Sequence, residues 1–226
     1  MSHKVPEQKR FRAVVDAIKD DRDRTFIETS YLGAFRVSEL TTKTGKYELA
    51  HHKTQPYGRE MAWKLAEYQG HKALVLVSAV AKRKVKAKRD TSPFIFKEIA
   101  LPVEPQFEPW TRDLLQWLVN QKKAGKEGKL SFDICRSTAN NIVKKHLKPL
   151  SQSLNSPVHH HTLRHWRITH LVTDYGFDNF DLCVYAGWTF KTGLSAMGSG
   201  SGQLDTYLHL GSQHYFSKLL KPLVMT

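Results

Sequence analysis

The sequence predicts an α+β domain, mainly α-helical with one small antiparallel β-sheet or hairpin, and three observations lead there. Apolar residues recur at helical spacing through much of the chain, as in Phe11, Val14, Val15 and Ile18. Leu74-Val-Leu-Val-Ser-Ala-Val80 is a β-rich run and is followed by a second, Phe94-Ile-Phe-Lys-Glu-Ile-Ala-Leu101. With 40% hydrophobic residues in 226, the chain can bury a sizeable core.

Phe11–Ile18 reads as a helix, and the charged stretch Lys19-Asp-Asp-Arg-Asp-Arg24 reads as the break after it. Thr25–Leu32 is a second helix that Gly33 can end; the turn that follows delivers Arg36, and Ser38 can cap a short helix beyond. The two β-rich runs form a hairpin whose tip, Lys82-Arg-Lys84-Val-Lys86-Ala-Lys88-Arg89, is basic, and Tyr47-Glu-Leu-Ala50 is the expected third strand. Prolines at 102, 105 and 109 mark a linker before the helix Trp110–Val119. Lys122–Lys129 is a polar loop, and Ser137–Leu147 is a helix that turns Ile142, Val143 and Leu147 inward. His161–Tyr175 and Asp181–Ala186 continue the helical series. A Gly/Ser tract then separates Trp188 from Tyr207, so that tyrosine is expected on a mobile tether.

Lys and Arg number 35 against 21 acidic residues, a net charge of +14, and the pI is near 9.8. The positive charge is spread through the chain and not gathered on one amphipathic helix, which favours nucleic acid over a membrane surface as partner. No apolar run is long enough to span a bilayer and the first ten residues lack a signal peptide's apolar region, so a cytoplasmic location is expected. Cys135 and Cys183 lack the paired spacing of a disulfide framework or zinc site; both read as buried thiols within helices. The run His159-His160-His161 cannot converge on a metal as ligands one helical turn apart do.

His161 and Arg164, at i and i+3, share a helix face at the mouth of the core that Ile168, Leu171 and Val172 enter. An arginine fork matches two phosphate oxygens, and a histidine can move a proton near neutral pH. Upstream stands Tyr31-Leu-Gly-Ala-Phe-Arg36-Val-Ser-Glu39-Leu40; downstream come Ala186-Gly-Trp188 and Leu204-Asp-Thr-Tyr207-Leu-His-Leu210. In that order, from about Asp23 to His209, the chain resembles the catalytic domain of the tyrosine recombinases, the phage-integrase-like DNA strand-transfer enzymes.

The resemblance implies a site-specific recombinase or integrase that cleaves and rejoins double-stranded DNA through a 3′-phosphotyrosyl intermediate, without metal or nucleotide cofactor. A type IB topoisomerase-like relaxing activity, or a non-catalytic DNA-binding module, are the alternatives. It implies Tyr207 as nucleophile, Arg36 and Arg164 on the phosphate, His161 assisting proton transfer, Trp188 packing on or donating to the phosphate, and Glu39 supporting Arg36. The family's hairpin lysine falls best on Lys82, with Lys84 next; Lys84, Lys86, Lys88 and Arg89 otherwise contact DNA phosphates. Residues 1–226 then form a single catalytic domain without the N-terminal clamping domain usual in the family. The tail 208–226, with Tyr215 in it, is expected to dock on a neighbouring protomer in a homo-oligomer on DNA.

Overall fold

The structure, a computed structural model, describes residues 4–43, 61–80, 96–123, 130, 132–188 and 212–222. Helix α1 spans Gln8–Asp16 and buries Phe11 and Val15, with Ile18 packed just beyond its end. Helix α2 spans Asp21–Leu32, four residues longer at its start than the sequence predicts. Asp20 caps it, its carboxylate accepting the Asp23 N–H at 2.9 Å. The charged stretch is therefore the first turn of the helix and not a break, because Asp21 and Asp23 sit where the helix dipole favours negative charge. From Thr25 onward α2 is buried on every side, and Thr29 and Ser30 satisfy their hydroxyls on the carbonyls of Thr25 and Phe26.

Helix α3, Val37–Leu40, is capped by Arg36 and not by Ser38, which lies inside it. Glu39 supplies the cap, its carboxylate accepting the Arg36 backbone N–H at 3.0 Å. Strands β1 (Ala62–Tyr68), β2 (His71–Ala79) and β3 (Phe96–Pro102) form an antiparallel sheet in the order β1-β2-β3. The third strand is thus Ala62–Tyr68; the segment expected to supply it, Tyr47–Ala50, lies outside the described residues. A two-residue turn joins β1 to β2, with Gln69 and Gly70 at φ 55° and 78°, the twist that suits a tight hairpin. Gln-Gly is a weaker hairpin signal than Asn-Gly, and β1, half exposed along the sheet edge, shows little hydrophobic alternation.

Helices α4 (Pro109–Lys123), α5 (Arg136–His146), α6 (Lys148–Leu154), α7 (His160–Thr173) and α8 (Asn179–Ala186) complete the main body. Ile142, Val143 and Leu147 are buried as their spacing requires. Cys135 stands at the extended cap position of α5, half buried, whereas Cys183 is buried in α8; neither forms a disulfide. Helix α9, Gln213–Leu219, lies on β3 of its own chain. Phe216 packs on Ala73, Val75 and Ala100, and the Tyr215 hydroxyl accepts the Ala100 N–H at 3.1 Å. In the single chain that apolar face packs on the chain's own sheet.

A buried carboxylate, Glu108, joins three helices. Arg12 of α1 grips it at 2.7 and 2.8 Å, and Arg167 of α7 stands 3.6 Å away. Aromatic rings surround both cations, Trp110 at 4.4 Å from Arg12, and Tyr31 and Tyr175 at 5.1 and 5.3 Å from Arg167.

Glu28 of α2 is also fully buried, but its nearest cation, Arg24, lies 3.7 Å away. Burial, with the charge of Asp113, pushes its pKa up to about 8. The folded chain therefore holds this proton more tightly than the unfolded one, whose carboxyl titrates near 4.5. The stabilisation is complete below that value and disappears as pH rises to about 8. Glu28→Gln should remove this dependence, so its stability relative to wild type, from urea denaturation, is expected to rise with pH across that window. A difference that stays flat would show that Glu28 is ionised in the fold.

Candidate oxyanion site

Four separate stretches of chain converge at the end of α2. The turn Gly33–Phe35 leaves the helix with Ala34 at φ 44°, in the left-handed region that costs an alanine about 1 kcal/mol. Gly33 permits the turn to close, since a Cβ there would lie 1.9 Å from the Phe35 ring. The Ala34 carbonyl, aimed inward, accepts a bond from Arg164 of α7, whose other terminal nitrogen donates to the Ala186 carbonyl at 3.2 Å. A guanidinium carries five N–H donors, so these two bonds seat Arg164 without exhausting it. Trp188 covers the group, its ring centre 5.6 Å from the guanidinium carbon.

Arg36 reaches the same place from the start of α3. Its guanidinium donates to Glu39 at 3.1 Å. Glu39 has no exposed surface; burial opposes its charge, but Lys97, Arg164 and Arg36 together hold its pKa below the usual carboxylate range. Burial and the charge of Arg36 lower Arg164 to about 10, Glu39 opposing them, so the guanidinium stays charged at neutral pH. Three cations thus gather on one carboxylate.

Beyond Arg36 opens a groove of about 540 Å³ lined by Arg136, Asn140 and Lys144, spaced four apart on one face of α5, and by His159 and His161. His161 reaches solvent with its ring edge-on to His165 at 4.5 Å. Desolvation by its neighbours, with the charges of His165, Arg164, His159 and Arg36, holds its pKa to about 4, so the ring is neutral at pH 7. His160 points the other way, into the core, onto Ser30 Oγ at 3.1 Å.

This arrangement sits in an architecture shared with a solved protein. XerH site-specific recombinase bound to its difH substrate, in a pre-cleavage complex, superposes with a TM-score of 0.50 at 14% identity, over 93% of this chain and 53% of its own. The fold is that of a tyrosine recombinase's catalytic domain. The Tn1549 transposon integrase in complex with transposon right end DNA gives a TM-score of 0.47 at 12% identity, over 92% of this chain and 65% of its own. This chain therefore spans about half the length of the XerH chain. No family model and no curated protein matches the sequence.

Within the recombinase fold the structure brings together Arg36, Glu39, Arg164 and Trp188, with His161 on the rim. Lys82, Lys84, Lys86, Lys88, Arg89 and Tyr207 lie outside the described residues. Two further tyrosines of the C-terminal part, which could compete with Tyr207 as nucleophile, are sequestered: Tyr185 donates to the Leu32 carbonyl and receives Arg167, and Tyr215 lies buried against β3. Burial pushes both phenols up in pKa, the wrong direction for a nucleophile.

Two groups escaped the sequence reading. Arg136 and Lys144 share a helix face with Asn140, a spacing visible in the sequence. Lys97 is in phase with Ile99 and Leu101 on β3, so the strand's period of two sends it inward, where it is 4% exposed. Gly187 marks how tightly that region closes: at φ 67° an added Cβ would meet Val80 at 2.9 Å and the Lys97 side chain at 3.1 Å. Gly187→Ala is accordingly expected to lower stability by at least about 1 kcal/mol in urea denaturation. An unchanged midpoint would mean that this turn opens easily.

Proposed function

We propose that this chain is the catalytic part of a tyrosine recombinase, a site-specific DNA-cleaving and rejoining enzyme of the integrase type. The observation that carries the reading is the gathering of Arg36 and Arg164 beside a single buried carboxylate, next to a basic groove, in a fold shared with a recombinase. Two seated guanidinium groups match the developing charge of a phosphoryl transfer transition state.

In the proposed reaction the Tyr207 oxygen attacks the scissile phosphorus of double-stranded DNA. A Tyr207 O–P bond forms and the P–O5′ bond breaks, leaving a 3′-phosphotyrosyl link and a 5′ hydroxyl. Lys82 gives its proton to the departing 5′ oxygen, and the neutral His161 ring assists removal of the tyrosine proton. A bound phosphate raises the pKa of that ring, because an adjacent anion favours its charged form. Trp188 screens Arg164 from water. Lys84, Lys86, Lys88 and Arg89, together with Arg136 and Lys144, hold neighbouring DNA phosphates. Assembly of several copies on DNA belongs to this reading, with the tail 208–226 as a candidate contact between them.

Tyr207→Phe should bind DNA and form no covalent adduct with a nicked suicide substrate, while wild type forms one. Adduct formation by the variant transfers the nucleophile elsewhere; DNA binding without any wild-type adduct makes the chain a binding module. Affinity should fall with salt at a log–log slope of roughly −0.9 per phosphate contacted, and a flat response would remove DNA as the partner. On a 5′-phosphorothiolate substrate, whose sulfur leaves without a proton, Lys82→Ala should regain cleavage; rescue of Lys84→Ala instead would move the general acid to Lys84.

A further inference from the structure

Lys97 holds together the pieces of chain that carry the two arginines. Its ammonium donates to the Gly33 carbonyl at 3.2 Å, lies 3.5 Å from the second oxygen of Glu39, and stands 4.5 Å over the Phe35 ring. Its stem packs beneath Gly187, just before Trp188. Gly33 and Phe35 flank Ala34, and Gly187 follows Ala186, the two residues whose carbonyls seat Arg164. Glu39 in turn holds Arg36 by backbone and side chain. One buried side chain thus touches the supports of both arginines.

We infer that Lys97 is a positioning residue for the oxyanion site: by sharing Glu39 and clamping the Gly33 carbonyl, it keeps Arg36 and Arg164 arranged for one phosphate-like anion. It acts through those residues. The charged groups facing it are Glu39 on α3, Arg36 before α3 and Arg164 on α7. Burial lowers its pKa to about 8, with Arg164 and Arg36 adding to the effect and Glu39 opposing it. The clamp is therefore charged at neutral pH and lost as pH rises through that value. An arginine at the same position would keep its charge.

Sulfate serves as the probe because its charge is constant over this pH range, and its binding can be followed at the His161 ring by NMR, on the rim of the site. Lys97→Met should weaken sulfate binding about tenfold at neutral pH, and Lys97→Arg should recover most of the loss. Wild-type affinity should fall between about pH 7 and pH 9 while that of Lys97→Arg does not. Cys135, whose hydrogen bonds to Ser137 and Thr138 bring its own pKa to about 7, is common to both proteins, so their difference isolates residue 97.

Wild-type affinity in Lys97→Met, an identical pH response in wild type and Lys97→Arg, or the absence of any sulfate response at His161 in wild type would each overturn the inference. Should Lys97→Met fail to fold, the comparison of wild type with Lys97→Arg decides alone. The inference rests on the phosphoryl-transfer reading of the same site, but the two fail separately. A chain that shows the sulfate pattern and forms no DNA adduct would sink the recombinase reading and leave the role of Lys97 intact.

Discussion

Everything around the oxyanion site depends on the single negative charge of Glu39. Arg36, Lys97 and Arg164 all draw on that one carboxylate, which is itself removed from water. Burying Lys97 and Arg164, with the partly exposed Arg36 beside them, against one anion would be prohibitive without further acceptors. The backbone supplies them: the carbonyls of Gly33, Ala34 and Ala186 each face a cation. Carbonyl dipoles lower the cost of the excess charge but leave its sign, so among the described residues the cluster carries more positive than negative charge. An anion entering from the groove would meet that charge.

A second buried cluster surrounds its cations differently. Glu108 also draws two arginines, and there the rings of Trp110, Tyr31, Tyr175 and Tyr185 lie around the guanidinium groups. Helix α7 belongs to both clusters, giving Arg164 to the first and Arg167, one turn later, to the second. It is fastened twice along its length. The Glu108 cluster fixes the helix against α1 and α4, so the first cluster inherits a rigid support and Arg164 need not find its own place.

Much of this was legible beforehand. The helices α1, α5 and α7, the β2–β3 hairpin and the convergence of Arg36 with Arg164 follow from apolar spacing and from motif order, because those signals are local or carried by side-chain type. What the sequence concealed has physical reasons. The first turn of α2 looked like a break because its charges serve the helix end and not its buried face. Strand β1 was missed because an edge strand buries little and alternates weakly. Lys97 stands out little beside the lysine-rich stretch from 82 to 88, although its phase with Ile99 and Leu101 is readable; its contact with the Gly33 carbonyl spans 64 residues of sequence and, like that with Glu39, leaves no local trace.

The seating of Arg164 on main-chain oxygens has a consequence for heredity and for engineering alike. A carbonyl belongs to every residue type, so positions 34 and 186 can exchange side chains, within the space available, and still present the same acceptors. The grip is encoded in the path of the backbone and not in the alphabet along it. Such a seat can persist through extensive sequence drift, and it is also the part most easily lost in transplantation. Copying the arginine onto the helix of another protein would carry the letter across and leave its chair behind.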